Sequence, residues 1–115
     1  TWLQEKADFL HQGAAENNLA PFPSGYCYQW AAKRFEKAAD KLARQANTPT
    51  KDQQEIIKKW SLRAAECYEK AAEDFAQVAK IAKSDNEPSG IAYFENKATV
   101  CKQRAKQLRK PYNWF

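Results

Sequence analysis

Between Ile57 and Ala82, apolar or small residues recur at Ile57, Trp60, Ala64, Cys67, Ala71, Phe75, Val78 and Ala82. Steps of three and four are the period of a helix that buries one stripe. Neither Gly nor Pro interrupts the chain between Thr50 and Pro88. The pattern therefore predicts one helix of about thirty residues, ~45 Å long at 1.5 Å per residue. Thr50 and Gln53 have the spacing of a capping box at its start, a hydroxyl and an amide able to satisfy each other's backbone donors.

Three further stripes flank it. Leu3, Ala7, Leu10 and Ala14 predict a first helix ending near Asn17, opened by a second capping-box pattern at Thr1 and Gln4. The run from Leu19 to Gly25 contains Pro21 and Pro23, each lacking a donor and restricting its predecessor. It reads as a loop pinned to the core by Leu19 and Phe22. Cys27, Ala31, Phe35, Ala38, Leu42 and Ala46 then predict a second helix starting near residues 24–26 and stopping at Asn47-Thr48-Pro49. After the break at Ser84–Gly90, Ser89 is the expected cap of a fourth helix. Its seam, Ile91, Phe94, Ala98, Cys101, Ala105 and Leu108, alternates steps of three and four until Pro111. Four helices with short connectors predict an all-α, up-and-down antiparallel bundle. The bundle takes residues 1–110 and leaves 111–115 as an aromatic tail.

Length and composition fit that reading. A chain of 115 residues is long enough for one core, and 43% hydrophobic content with fifteen aromatics supplies surface to bury. No apolar run approaches the ~20 residues that span a bilayer. The start at Thr1 rather than Met implies a processed or trimmed product. Three cysteines, Cys27, Cys67 and Cys101, cannot all pair with one another, and Cys67 and Cys101 fall on buried stripes. This favours a cytoplasmic or other reducing compartment, with a secreted effector delivered into another cell as the alternative.

The second and third helices repeat one another. At a shift of 33 residues, Ala31–Ala43 (AAKRFEKAADKLA) matches Ala64–Ala76 (AAECYEKAAEDFA) at seven of thirteen positions. The pattern Ala-x-x-(Phe/Tyr)-Glu-Lys-Ala-Ala resembles the second helix of tetratricopeptide repeats and the helical hairpins of SNAP-type vesicle-fusion adaptors. The resemblance implies TPR-like helical hairpins as an alternative fold, and protein binding as the task. The first-helix pattern of such repeats is absent here, and two Ala-rich helices with the same packing task also converge on such words.

Catalytic and metal chemistry find little to work with. His11 is the only histidine. Asp8-x-x-His11 has the spacing of a carboxylate–imidazole pair, but a helical diiron site needs two such motifs. His11 is therefore expected at the surface, near a helix end. The cysteines lack Cys-x-x-Cys spacing, and the three glycines sit at or near helix ends rather than in a phosphate loop. No catalytic residue, cofactor or metal ligand is expected, and the chain reads as a non-enzyme.

Charge is distributed unevenly. All fourteen acidic residues lie at or before Glu95, where the net charge is −1, and the chain from Asn96 onward carries +6. Two readings of the basic fourth helix stand. In the first, it answers an acidic neighbour: a hairpin about residues 84–90 places Glu66, Glu69, Glu73 and Asp74 alongside it. In the second, it is a partner surface for an acidic protein, an anionic membrane or nucleic acid phosphates. Lys102, Arg104, Lys106, Arg109 and Lys110, followed by Tyr112, Trp114 and Phe115, are the residues expected to bind a partner, since aromatics beside Arg anchor interfaces. The function this predicts is a non-catalytic protein–protein interaction module, an adaptor, assembly subunit or effector. A nucleic-acid-binding accessory protein using the same helix is the alternative.

Overall fold

The computed structural model describes residues 2–17, 21–45 and 48–110, with the backbone alone at 14–17. Four helices account for almost all of them: α1 (Trp2–Asn17), α2 (Pro21–Gln45), α3 (Lys51–Ser84) and α4 (Pro88–Arg109). No strand occurs among the described residues. The third helix has 34 residues, slightly longer than its stripe predicts. Its capping box is formed: Gln53 N donates to Thr50 Oγ1 at 3.2 Å, and Thr50 N donates to Gln53 Oε1 at 2.9 Å. Thr1, which would cap α1, and the tail 111–115 lie outside the described residues.

Two helix starts differ from expectation. The segment expected as a loop up to Gly25 is helical from Pro21, and Phe22 is more than half exposed rather than inserted in the core. Pro21 and Pro23 are tolerated because both fall in the first described turn, where backbone donors have no intrahelical acceptor to lose. Leu19 lies outside the described residues. At α4, the cap is Glu87 rather than Ser89, with no side-chain bond, and Pro88 occupies the first turn. Proline there fixes φ for the helix and removes a donor that would otherwise go unpaired.

The α3–α4 connection is built by its own backbone. Glu87 N donates to Ala82 O at 2.9 Å and Asn86 N to Lys83 O at 3.2 Å, while Asn86 adopts φ 57°. This is the Schellman arrangement, with Asn in the left-handed position that its short polar side chain tolerates. It turns the chain sharply enough for α4 to run back along α3.

Side-chain contacts fix the directions. Ser24 meets Asp74 and Glu36 meets Tyr68, so α2 and α3 are antiparallel. Gln4, Asp8 and His11 meet Cys67, Lys70 and Asp74 in order, so α1 runs with α3. Phe22 and Glu36 meet Phe94 and Arg104, so α4 runs with α2. The helices thus go up, down, up and down. α2 and α3 form the central pair, α1 covers one flank and α4 the other.

Because α2 and α3 are central, each buries more than one stripe. Beside the expected positions, Tyr28, Ala32 and Ala39 of α2 and Ala65, Tyr68 and Ala72 of α3 are buried. The repeated segments are these two central helices, and their equivalent pairs Ala31/Ala64, Ala32/Ala65 and Ala39/Ala72 all lie in the core. Alanine there lets the backbones approach, while Phe75, Ile57 and Tyr28, all but inaccessible, contribute about 1.5–3 kcal/mol each for a large apolar side chain. The α4 seam is buried at Ala98, Cys101 and Ala105 and half-buried at its ends.

Candidate interaction surface

The cations of α4 have three different fates. Arg104 reaches across to Glu36 of α2, and Arg109 Nη2 lies 2.5 Å from Glu69 Oε1 of α3. Lys97 is enclosed by rings, its Nζ 4.9 Å from the centroid of Tyr26, 5.1 Å from Phe75 and 5.6 Å from Tyr93. Lys102, Lys106 and Lys110 are exposed and form no ion pair among the described residues. Tyr112, Trp114 and Phe115 lie outside the described residues.

The expected acidic counter-face therefore holds at Glu69 and fails at Glu73 and Asp74. Positions 67, 70 and 74 share the side of α3 that faces α1, at steps of three and four. Asp74 is only 4% exposed, and it accepts from Ser24 Oγ at 2.6 Å and from His11 Nδ1 at 2.8 Å. Glu73 Oε2 lies 3.8 Å from His11 Nε2. His11, expected at the surface, is half-buried and packs edge-on against Tyr28, with ring centroids 5.4 Å apart. Hydropathy had no means of assigning this seam, because a polar residue inside a helix signals solvent unless its partners are known.

The seam continues toward the start of α1. Asp8 Oδ1 accepts from Tyr28 at 2.7 Å and from Lys70 at 3.0 Å. Burial works against the Asp8 carboxylate, but these hydrogen bonds and the Lys70 charge hold its pKa below the ordinary 3.8. Burial raises the Asp74 pKa despite the bonds from Ser24 and His11. Ser24, Asp74 and His11 are the residue types of a hydrolytic triad in a different order. Here the carboxylate sits in the middle and accepts both hydrogen bonds, and Ser24 is fully buried. In a triad the imidazole bridges a reachable hydroxyl and the acid. This set joins three helices.

All three cysteines are free and buried. Burial pushes the Cys67 thiol up to about 11, and the Cys101 thiol is raised for the same reason. Raised thiols carry little thiolate at neutral pH and are poor nucleophiles. Among the described residues no group of three or more His, Cys, Asp or Glu is placed to hold a metal ion. None of the described helices is long and apolar enough to cross a membrane.

The largest feature absent from the sequence reading is an aromatic surface where α2 and α4 meet. Phe22, Tyr26 and Trp30 follow one another at steps of four on α2. Tyr93, Lys97 and Val100 follow at four and three on α4. Phe22 stacks edge-on against Phe94 at 5.6 Å, and Tyr26 against Phe75 at 5.1 Å. Burial and the neighbouring Tyr93 hydroxyl raise the Tyr26 pKa, so the phenol stays neutral. Phe75 forms the floor, and Phe22, Trp30, Tyr93 and Val100 are each more than half exposed. The signal lay in the sequence as a second stripe on α2, offset from the core stripe, but only a three-dimensional arrangement brings it beside Tyr93.

Compared with models of protein families, curated proteins and solved structures, the chain matches none of them.

Proposed function

We propose that this chain is a non-catalytic protein–protein interaction module. The observation that carries the reading is the exposed aromatic surface on α2 and α4, where the Trp30 ring lies 6.5 Å from that of Tyr26 and Lys97 sits over the rings of both Tyr26 and Tyr93. Trp, Tyr and Phe supply large contact area at small entropic cost and are enriched where partners bind. A single exposed aromatic needs no explanation, whereas a group on adjacent helices does. The outward Lys102, Lys106 and Lys110, and the Tyr112, Trp114 and Phe115 that follow, extend the same reading along α4. The likeness of the central helices to tetratricopeptide and SNAP-type hairpins points the same way, and three free buried thiols support work in a reducing compartment.

The test is a nuclease-treated pull-down from native extract with the intact chain, the Trp30→Ala/Tyr93→Ala double variant and a chain ending at Lys110. Partners retained by the intact chain are expected to be lost from the double variant while its helical circular dichroism is unchanged. Equal recoveries from all three chains would overturn the reading.

A second reading, binding of nucleic acid, is favoured by the three lysines of α4 that meet no carboxylate among the described residues. It requires affinity for a short single strand that falls steeply between about 50 and 200 mM salt. Absence of binding at the lower salt ends it.

A further inference from the structure

We infer that the α2/α4 surface receives an amphipathic helix of a partner protein whose flanks carry carboxylates. The inference rests on the interaction reading above and names the chemistry of the occupant. α2 and α4 run in the same sense on one side of α3, meeting through the side chains of Phe22 and Phe94 and of Glu36 and Arg104. The furrow between these two parallel helices has an apolar base, half-buried Tyr26 and Phe94 over the fully buried Phe75, with the Phe75 and Phe94 rings stacked at 6.0 Å. From Phe22 to Lys37 the α2 edge runs about 22 Å at 1.5 Å per residue, room for some four turns of helix.

Charge chooses the occupant. On α2 the stripe of Phe22, Tyr26 and Trp30 continues at steps of three and four into Lys33 and Lys37, both exposed. On α4 Lys97 and Arg104 bracket Val100. The acid on this stretch of the surface, Glu36, is committed to Arg104 and to the Tyr68 hydroxyl at 2.8 Å. Glu95 lies two positions from Tyr93 and from Lys97, hence on the far side of α4. Asp40 follows Lys37 at a step of three on the same stripe, so the positive charge of this surface rests on Lys33 and Lys97. Lys97 Nζ is held over three rings and forms no ion pair among the described residues. A helix with apolar residues at i, i+3, i+4 and i+7 would seat on the rings, and Glu or Asp beside that stripe would meet the lysines. A basic segment would be repelled.

The test uses three fluorescently labelled probes against the intact chain, read by anisotropy at about 100 mM salt, where exposed charges are only partly screened. Two are eighteen-residue helical peptides sharing one Leu/Phe face, with Glu at every remaining position in one and Lys in the other. The third is a twenty-nucleotide single strand. The Glu peptide is expected to bind at least about tenfold tighter than the Lys peptide, and Trp30→Ala to weaken it by about tenfold or more, as a buried aromatic anchor does. Lys97→Ala is expected to weaken the Glu peptide alone, while Ile56→Ala, on α3, leaves it unchanged. Equal affinity for both peptides, indifference to Trp30→Ala, or binding of the single strand with none of the Glu peptide would each overturn the inference. If the pull-down partner is lost from the Trp30/Tyr93 variant but the Glu peptide does not bind, the acidic helix is overturned and the interaction reading stands. If the pull-down recovers its partners equally with all three chains, both fall.

Discussion

Gly25 of α2 lies against the ring of Phe75 on α3, so closely that a Cβ on the glycine would fall 3.0 Å from Cε1. Phe75 is fully buried and is itself stacked on Phe94. Its ring therefore has little room to retreat. Gly25→Ala would gain up to ~1 kcal/mol of helix propensity but overpack the core by about 1–3 kcal/mol. The net expectation is a loss of about 1 kcal/mol in urea unfolding, together with a changed Trp30 emission as the aromatic surface shifts. A more stable variant would show that Phe75 moves freely.

Asp74 is a buried carboxylate with two donors on two other helices. Asp74→Ala would leave Ser24 and His11 without their acceptor, and loss of one partner of a buried polar set costs about 3 kcal/mol. Ser24→Ala removes one bond of the set and is expected to cost about 1 kcal/mol. Urea denaturation of the two variants checks the order, which reverses if the carboxylate is a net burden to the fold.

The two seam carboxylates respond to acid with opposite signs. The Asp8 pKa is lowered in the fold, so its contribution is present above the ordinary 3.8 and is lost as pH falls through the folded value. The stability gap between the native chain and Asp8→Asn should therefore close on acidification below 3.8. The Asp74 pKa is raised, so its proton-linked contribution is complete below 3.8 and is lost as pH rises through the folded value. The native chain should gain on Asp74→Asn as pH falls toward 3.8. Melting curves of all three proteins between neutral pH and acid separate the two behaviours.

Glu36 and Glu69 each pair with an arginine of α4 but differ in exposure. The Glu36 side chain is 15% exposed and also accepts from Tyr68, whose phenol burial pushes up to about 12, whereas the Glu69 side chain is 45% exposed. Glu36→Ala is expected to cost about 1–2 kcal/mol, because it leaves the buried Tyr68 hydroxyl without its acceptor. Glu69→Ala should cost no more than about 0.5 kcal/mol, the usual worth of a surface pair. Charge reversal at exposed Glu66 should leave stability within about 0.5 kcal/mol. Thermal unfolding at low and high salt measures all three, and equal losses at Glu36 and Glu69 would contradict the burial argument.

The stripes from Ile57 to Ala82 and from Ile91 to Leu108 were legible because a helix repeats every 3.6 residues and the core selects one side of it. The Thr50–Gln53 box was legible because its bonds are local, spanning three residues. Ser89 was misplaced as a cap because proline and the Asn86 turn define that end through backbone geometry. The loop expected up to Gly25 failed because proline reads as a breaker unless its position within the first turn is known. Lys102 and Lys106 are expected from the sequence to bind a partner, but whether they stand free or paired was not legible, since that depends on which way a neighbouring helix turns its acids.

The sequence by itself determined four amphipathic helices, their order and their antiparallel sense, because short connectors and hydrophobic periodicity are properties of local chain. Tertiary structure alone decided that α2 and α3 are central. It also decided that Asp74 turns inward to His11 and Ser24 while Glu69 turns to Arg109, and that Trp30 comes to lie on the same surface as Tyr93. Each depends on the rotation of one helix against another, and that angle is set by the packing of side chains far apart in the chain.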